Sequence, residues 1–145
     1  MTEIKIGGRT IPLSYTTYEM VAIQDEIGCT AFQLRDEVFG IHLEDEDDPS
    51  SLRFGMVTDP DKTKKFGQLV AILGNAGLEE KGEKPDLTAK WILRHMKPAE
   101  LLAFGVAVMA EIRAGNTPEK VEDDSSKGPV DEGLEEINAK KQPGN

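Results

Sequence analysis

A single cysteine, Cys29, is all the thiol this sequence has. An intrachain disulfide is therefore excluded, and nothing ties the chain to an oxidising compartment. Histidine is almost as scarce: His42 and His95 stand far from each other and from Cys29, in no spacing of paired metal ligands. Positive charge is in deficit, with 17 Lys and Arg against 27 Asp and Glu, a net charge of −10. That balance repels nucleic acid and anionic membrane alike. The longest apolar run, Leu101 to Ala110, is too short to span a bilayer. The opening residues Met1 to Ile6 lack the basic-then-apolar run of a secretory signal. The expectation is a cytoplasmic protein without nucleic-acid or membrane partners, suited to basic or apolar protein surfaces.

Motifs that carry chemistry are also missing. Gly74-Asn75-Ala76-Gly77 lacks the Lys-Ser or Lys-Thr of a phosphate loop and reads as a helix end. The acids Glu44 to Asp48 are contiguous and run into Pro49, without the alternating ligands and central glycine of a calcium loop. Lys62 and Lys65, like Lys90, Arg94 and Lys97, fall on outer faces of amphipathic helices. A nucleic-acid surface would need interleaved aromatics and a favourable total charge. Cys29 reads as a small buried residue at a helix junction, and His95 as a partner of a helix C-terminal dipole. No catalytic, cofactor-binding or metal residue is assigned, no cofactor is expected, and the chain is read as a non-enzyme.

What is present is helix punctuation. At 145 residues the chain is long enough for one domain with a core of its own. Ile4 and Ile6 alternate with Glu3 and Lys5, Gly7-Gly8 supplies a tight turn, and Ile11 and Leu13 return, so residues 2–15 predict a β-hairpin. Pro12 places the second strand at an edge. Thr16 and Glu19 form a capping box, with Tyr15 and Met20 positioned to staple across it. Met20, Ile23 and Ile27 then predict an apolar stripe, flanked by Tyr18, Val21 and Ala22, and Gly28 stops the helix. Thr30 and Gln33 repeat the grammar for a second helix over Leu34 and Val38 to Gly40. Residues 41–58 predict an exposed acidic loop with a short extended return through Leu52 to Val57. Asp59-Pro60 opens a third helix, which Gly74 to Gly77 bring to an end. Asp86 predicts the cap of a fourth helix through Trp91 and Met96. Pro98 opens a fifth, apolar almost all round and therefore expected to be buried on several sides, with Gly115 as its stop.

The fold class that follows is mainly α with an N-terminal β-hairpin (α+β), about five helices in a small domain over residues 1–115. An acidic loop at 43–51 interrupts it. Residues 116–145 hold eight acids and four lysines around few sizeable apolar residues, and predict a disordered acidic tail. On the last helix, Leu101, Phe104, Val108, Met109 and Ile112 are the candidate partner or oligomer interface.

Three stretches resemble one family. They are Ile4-Lys5-Ile6-Gly7-Gly8-Arg9-Thr10-Ile11-Pro12-Leu13 with the helix entry Tyr15-Thr16-Thr17-Tyr18 and Ile23 to Gly28; the apolar last helix ending at Arg113-Ala114-Gly115; and the acidic tail of low complexity. In texture and order of elements the chain resembles the tail assembly chaperones of long-tailed bacteriophages and prophages. The resemblance implies a cytoplasmic, non-enzymatic, oligomerising protein that coats the tape measure protein. It further implies help in recruiting tail tube protein, and absence from the finished virion. It also implies a frameshifted longer product, for which the adjacent Lys140-Lys141 would suit a slippery run of adenines. The competing expectations are a structural tail or connector component and an unrelated acidic protein-interaction module.

Overall fold

The computed structural model describes residues 1–118. The expected tail of residues 119–145 lies outside the described residues. Strands β1 (Glu3–Ile6) and β2 (Arg9–Pro12) pair antiparallel with Ile4 opposite Ile11, so both isoleucines share the buried face. Gly7 and Gly8 turn the hairpin at positive φ, 56° and 82°, a conformation that costs glycine no Cβ clash. As expected, Pro12 lies on an edge strand, because among the described residues this sheet has two strands.

Helix α1 (Thr17–Ile27) starts at the predicted capping box and stops at Gly28, φ 90°. The Glu19 carboxylate accepts from the Thr16 backbone N–H at 2.9 Å and from its hydroxyl at 2.5 Å. That satisfied carboxylate turns inward and is buried. The core face runs through Glu19, Ile23 and Ile27, so the predicted stripe holds at Ile23 and Ile27, and Glu19 takes the place expected of Met20. Met20 and Val21 are exposed, and Tyr18 is 79% exposed.

The second predicted helix is not a regular one. A 3-10 turn, Ala31–Gln33, leads into a π-helical turn, Arg35–Phe39, which ends at Gly40 with φ 61°. The wider turn lets Leu34, Val38 and Phe39 all reach the core. Gly40 then meets Gly55: the Gly55 N–H donates to the Gly40 carbonyl at 2.8 Å. A Cβ on Gly40 would stand 3.0 Å from the Gly55 Cα.

Residues 41–58 are more ordered than an open loop. Strands β3 (Ile41–Leu43) and β4 (Leu52–Phe54) form a second antiparallel hairpin, and the acidic run is its exposed connection. That connection is folded locally. Asp48 accepts from the Ser50 N–H at 3.0 Å, and the Ser51 hydroxyl donates to the Asp48 and Asp45 carbonyls.

Helix α2 (Pro60–Glu80) is the central element, capped by Asp59 as predicted. Phe66, Leu69, Val70, Leu73 and Leu78 are fully buried along it. The helix runs straight through Gly74 to Gly77, which overturns the predicted stop. Those glycines serve packing instead: a Cβ on Gly77 would overlap the Pro12 carbonyl, and one on Gly74 would stand 2.6 Å from Leu87. Hairpin β1–β2 thus lies directly on the helix backbone.

Helix α3 (Ala89–His95) takes its cap from Thr88, whose hydroxyl accepts from the Trp91 N–H at 3.1 Å. The expected cap, Asp86, pairs with Arg9 at 3.0 Å instead. A 3-10 turn at Pro98–Glu100 leads into α4 (Leu101–Asn116), which passes Gly115 because Tyr15 packs against that glycine. Among the described residues the outcome is a mainly helical fold with an N-terminal hairpin and five helices, the π-helical turn included.

Candidate protein-binding groove

The apolar sequence of α4 does not produce burial on several sides. Leu101, Gly105, Val108 and Ile112 recur at the spacing of one helical face, and only that face is buried. Gly105 is small because the Met56 methyl and the Phe54 ring occupy the space a side chain would need. The five predicted interface residues are therefore divided. Leu101, Val108 and Ile112 are buried in the chain's own core, and Ile112 also lines a groove on that side of the helix. Phe104 and Met109 are half-buried at the core's edge. On the adjoining flank Leu102 and Val106 are 51% and 54% exposed. Leu102, Val106 and Met109 stand at i, i+4 and i+7, so they form one stripe, exposed at Leu102 and Val106 and half-buried at Met109.

That stripe runs into a groove of about 480 Å³. Its walls are the C-terminal half of α4, the 3-10 turn after Thr30, and hairpin β3–β4. Leu34, Phe39, Phe54 and Ile112 supply buried floor residues. In the floor the Phe39 ring meets Phe54 and Phe66 edge-on, with centroids 6.2 and 6.0 Å apart. The rim is apolar and open. Phe32 is 87% exposed and Leu52 46%. An aromatic ring left that far in water serves no packing role among the described residues.

Charge at the groove is of one sign. Its ionisable lining residues are Arg35 and Arg113, both on the surface. In a chain of net charge −10, two guanidiniums beside an apolar trough favour a ligand that combines apolar side chains with carboxylates.

Other ionisable groups do not converge. Cys29 is buried, and burial pushes its thiol above the ordinary range, away from the thiolate that nucleophilic chemistry requires. His95 stacks on Trp91 at 4.3 Å, and its Nδ1 lies 2.9 Å from the Trp91 carbonyl, which ties it to its own helix. His42 Nδ1 lies 2.9 Å from the Gly40 carbonyl. Among the described residues, no group of three or more His, Cys, Asp or Glu side chains is placed to hold a metal ion. No helix there is long and apolar enough to cross a membrane.

No family model, curated protein or solved structure matches the chain. Most of the groove's accessible residues escaped the sequence reading. Phe32 sits inside a capping box, where an aromatic is normally taken for core. Leu52 lies in the predicted extended return, but was expected to face the core and is exposed instead. Leu102 and Val106 are indistinguishable in type from the buried residues beside them.

Proposed function

We propose that this chain is a non-catalytic tail assembly chaperone, whose groove and α4 stripe take up apolar helical segments of a phage tape measure protein. The groove, with exposed Phe32 on its rim and the Leu102–Val106–Met109 stripe leading into it, is the observation that carries the reading. A helix from a client presents apolar anchors at i, i+3 or i+4 and i+7, the same spacing as that stripe. Each large client side chain buried there contributes about 1.5–3 kcal/mol before ordering costs. The net charge of −10 keeps a coated client soluble by mutual repulsion between neighbouring copies. On this reading the protein acts as a homo-oligomer in the bacterial cytoplasm, assists addition of tail tube protein, and leaves before the virion is complete.

The test is co-expression with the tape measure protein of the same gene cluster. The expected result is a soluble complex of the two, and purified virions from which the chain is absent by mass spectrometry. A tape measure protein that stays insoluble, or that purifies alone, contradicts the proposal. Stoichiometric recovery from virions would favour a structural tail component instead. Gene order is a second check: a tube protein gene upstream and a very long gene downstream are expected.

A further inference from the structure

We infer that copies of this chain join head to tail, the acidic tip of hairpin β3–β4 on one copy seating in a basic trough between α2 and α3 on the next. The inference rests on the homo-oligomer part of the reading above and names the contact that builds it.

The trough gathers positive charge on a chain that has little of it. Two hollows of about 450 and 530 Å³ share Lys64 and Leu93 and so run into each other. Leu93 sits at their junction because Gly67 leaves room for it: a Cβ on Gly67 would stand 2.6 Å from the Leu93 side chain. Val57, 42% exposed, and Met96 continue the apolar lining. Lys64, Lys90 and Arg94 are the ionisable lining residues, and all three are exposed. Their neighbours Lys62 and Lys65 reach the Asp36 carbonyl and the Glu37 carboxylate. Lys64, Lys90 and Arg94 form no ion pair among the described residues.

The tip supplies the opposite charge on a formed scaffold. Glu44 to Asp48 are all exposed. Ser51 ties their backbone: its hydroxyl accepts from the Asp45 N–H at 3.0 Å, and its carbonyl accepts from the Glu44 N–H at 3.2 Å. Docking therefore orders little that is not ordered already. Leu43, at the base of the tip, is 39% exposed and offers an apolar contact to the trough. Glu44 pairs with Arg53 at 3.4 Å. Asp45, Glu46, Asp47 and Asp48 form no ion pair among the described residues. Within one copy, then, no ion pair there joins tip to trough, and the two sets of unpaired charge meet only between copies.

Tip and trough are different surfaces, so the contact is heterologous. A joined pair still offers one free tip and one free trough, and growth continues as a ring or an open row. A row suits a long client, because it repeats the client groove at one spacing. The net charge of −10 opposes random approach and leaves the local complement to select the contact.

The experiment is sedimentation velocity on the full chain without a client. The parent should self-associate as its concentration rises to about 200 μM. Glu46→Lys/Asp47→Lys at the tip and Lys90→Glu/Arg94→Glu in the trough should each weaken association about tenfold or more. Mixing the two variants should restore it, since each reversed surface then meets its opposite. Melting of each variant should match the parent, as expected for exposed residues. A second measurement uses the parent alone, as copies labelled and unlabelled with heavy nitrogen. Carbodiimide should join residues 44–48 of one copy to Lys64 or Lys90 of an isotopically different copy. A parent that stays monomeric, association that neither variant weakens, a mixture that fails to recover, or absence of those cross-links would each overturn the inference. Tape measure binding alongside any of these failures would leave the chaperone proposal standing. The predicted association without tape measure binding would support this contact and sink the chaperone proposal.

Discussion

The side-chain amide of Asn75 is bonded in both directions to the backbone of Leu87: Nδ2 donates to the Leu87 carbonyl at 3.0 Å, and the Leu87 N–H donates to Oδ1 at 2.9 Å. The pair clamps the connector after α2 onto the middle of that helix and seats Leu87 against Gly74. Asn75→Ala leaves both backbone groups of a buried residue short of partners, and should cost about 2 kcal/mol of stability. Asn75→Asp keeps the shape but replaces the donor with a carboxylate facing the Leu87 carbonyl, and should cost no less. Urea midpoints of the two variants check this. Midpoints equal to that of the parent would show the clamp to be absent.

Gly77 faces the Pro12 carbonyl across the hairpin–helix contact, with no space for a Cβ. At an open helical position, Gly→Ala gains about 1 kcal/mol. Here Gly77→Ala should instead lose on the order of 2–3 kcal/mol, since the backbone of β2 must move away. Thermal melting decides the sign: a raised melting temperature would mean the hairpin does not lie on α2 as described.

The Tyr15 hydroxyl is buried without a hydrogen-bond partner; the Asn116 side chain approaches it but falls short of bonding geometry. Burial pushes the phenol above its ordinary range. Tyr15→Phe keeps the ring that packs on Gly115 and removes the orphaned hydroxyl. The melting temperature should hold or rise. A marked fall would reveal a partner for this hydroxyl.

Glu3 and Lys81 join β1 to the end of α2 at 2.8 Å. The hydrogen bond from Lys81, then its charge, lowers the Glu3 carboxyl below its ordinary 4.5; the same bond, then the Glu3 charge, raises Lys81 above its ordinary 10.5. The Glu3 contribution is thus complete above pH 4.5 and is lost as pH falls through its lowered folded value. The Lys81 contribution is complete below pH 10.5 and is lost as pH rises through its raised folded value. A double-mutant cycle with Glu3→Gln and Lys81→Met should show a small favourable coupling at neutral pH, weakened by salt. The coupling should vanish once pH falls below the lowered folded value of Glu3. Coupling that survives full protonation of the carboxyl would refute the ion pair.

Local chemistry was legible in the sequence and long-range contact was not. The Thr16–Glu19 box, the Asp59-Pro60 start and the Gly28 and Gly40 stops all act within a few residues, so the letters alone reveal them. Gly74, Gly77 and Gly115 look like the same kind of stop. Their role depends on Leu87, Pro12 and Tyr15, which lie far off along the chain. The same limit governs the groove. The apolar richness of α4 was plain, but which residues face the core depends on Met56 and Phe54 filling the space beside Gly105. That packing directs Leu101, Val108 and Ile112 inward and leaves Leu102 and Val106 free.

The most direct test replaces the exposed anchors and leaves the core untouched. Phe32→Asp combined with Val106→Asp alters two side chains that are 87% and 54% exposed. Melting should stay within a few degrees of the parent, as expected for surface changes. Affinity for the tape measure protein, measured by titration calorimetry on the purified components, should fall about a hundredfold or more. Unchanged affinity in a variant that melts like the parent would contradict the assignment of this groove as the protein-binding surface.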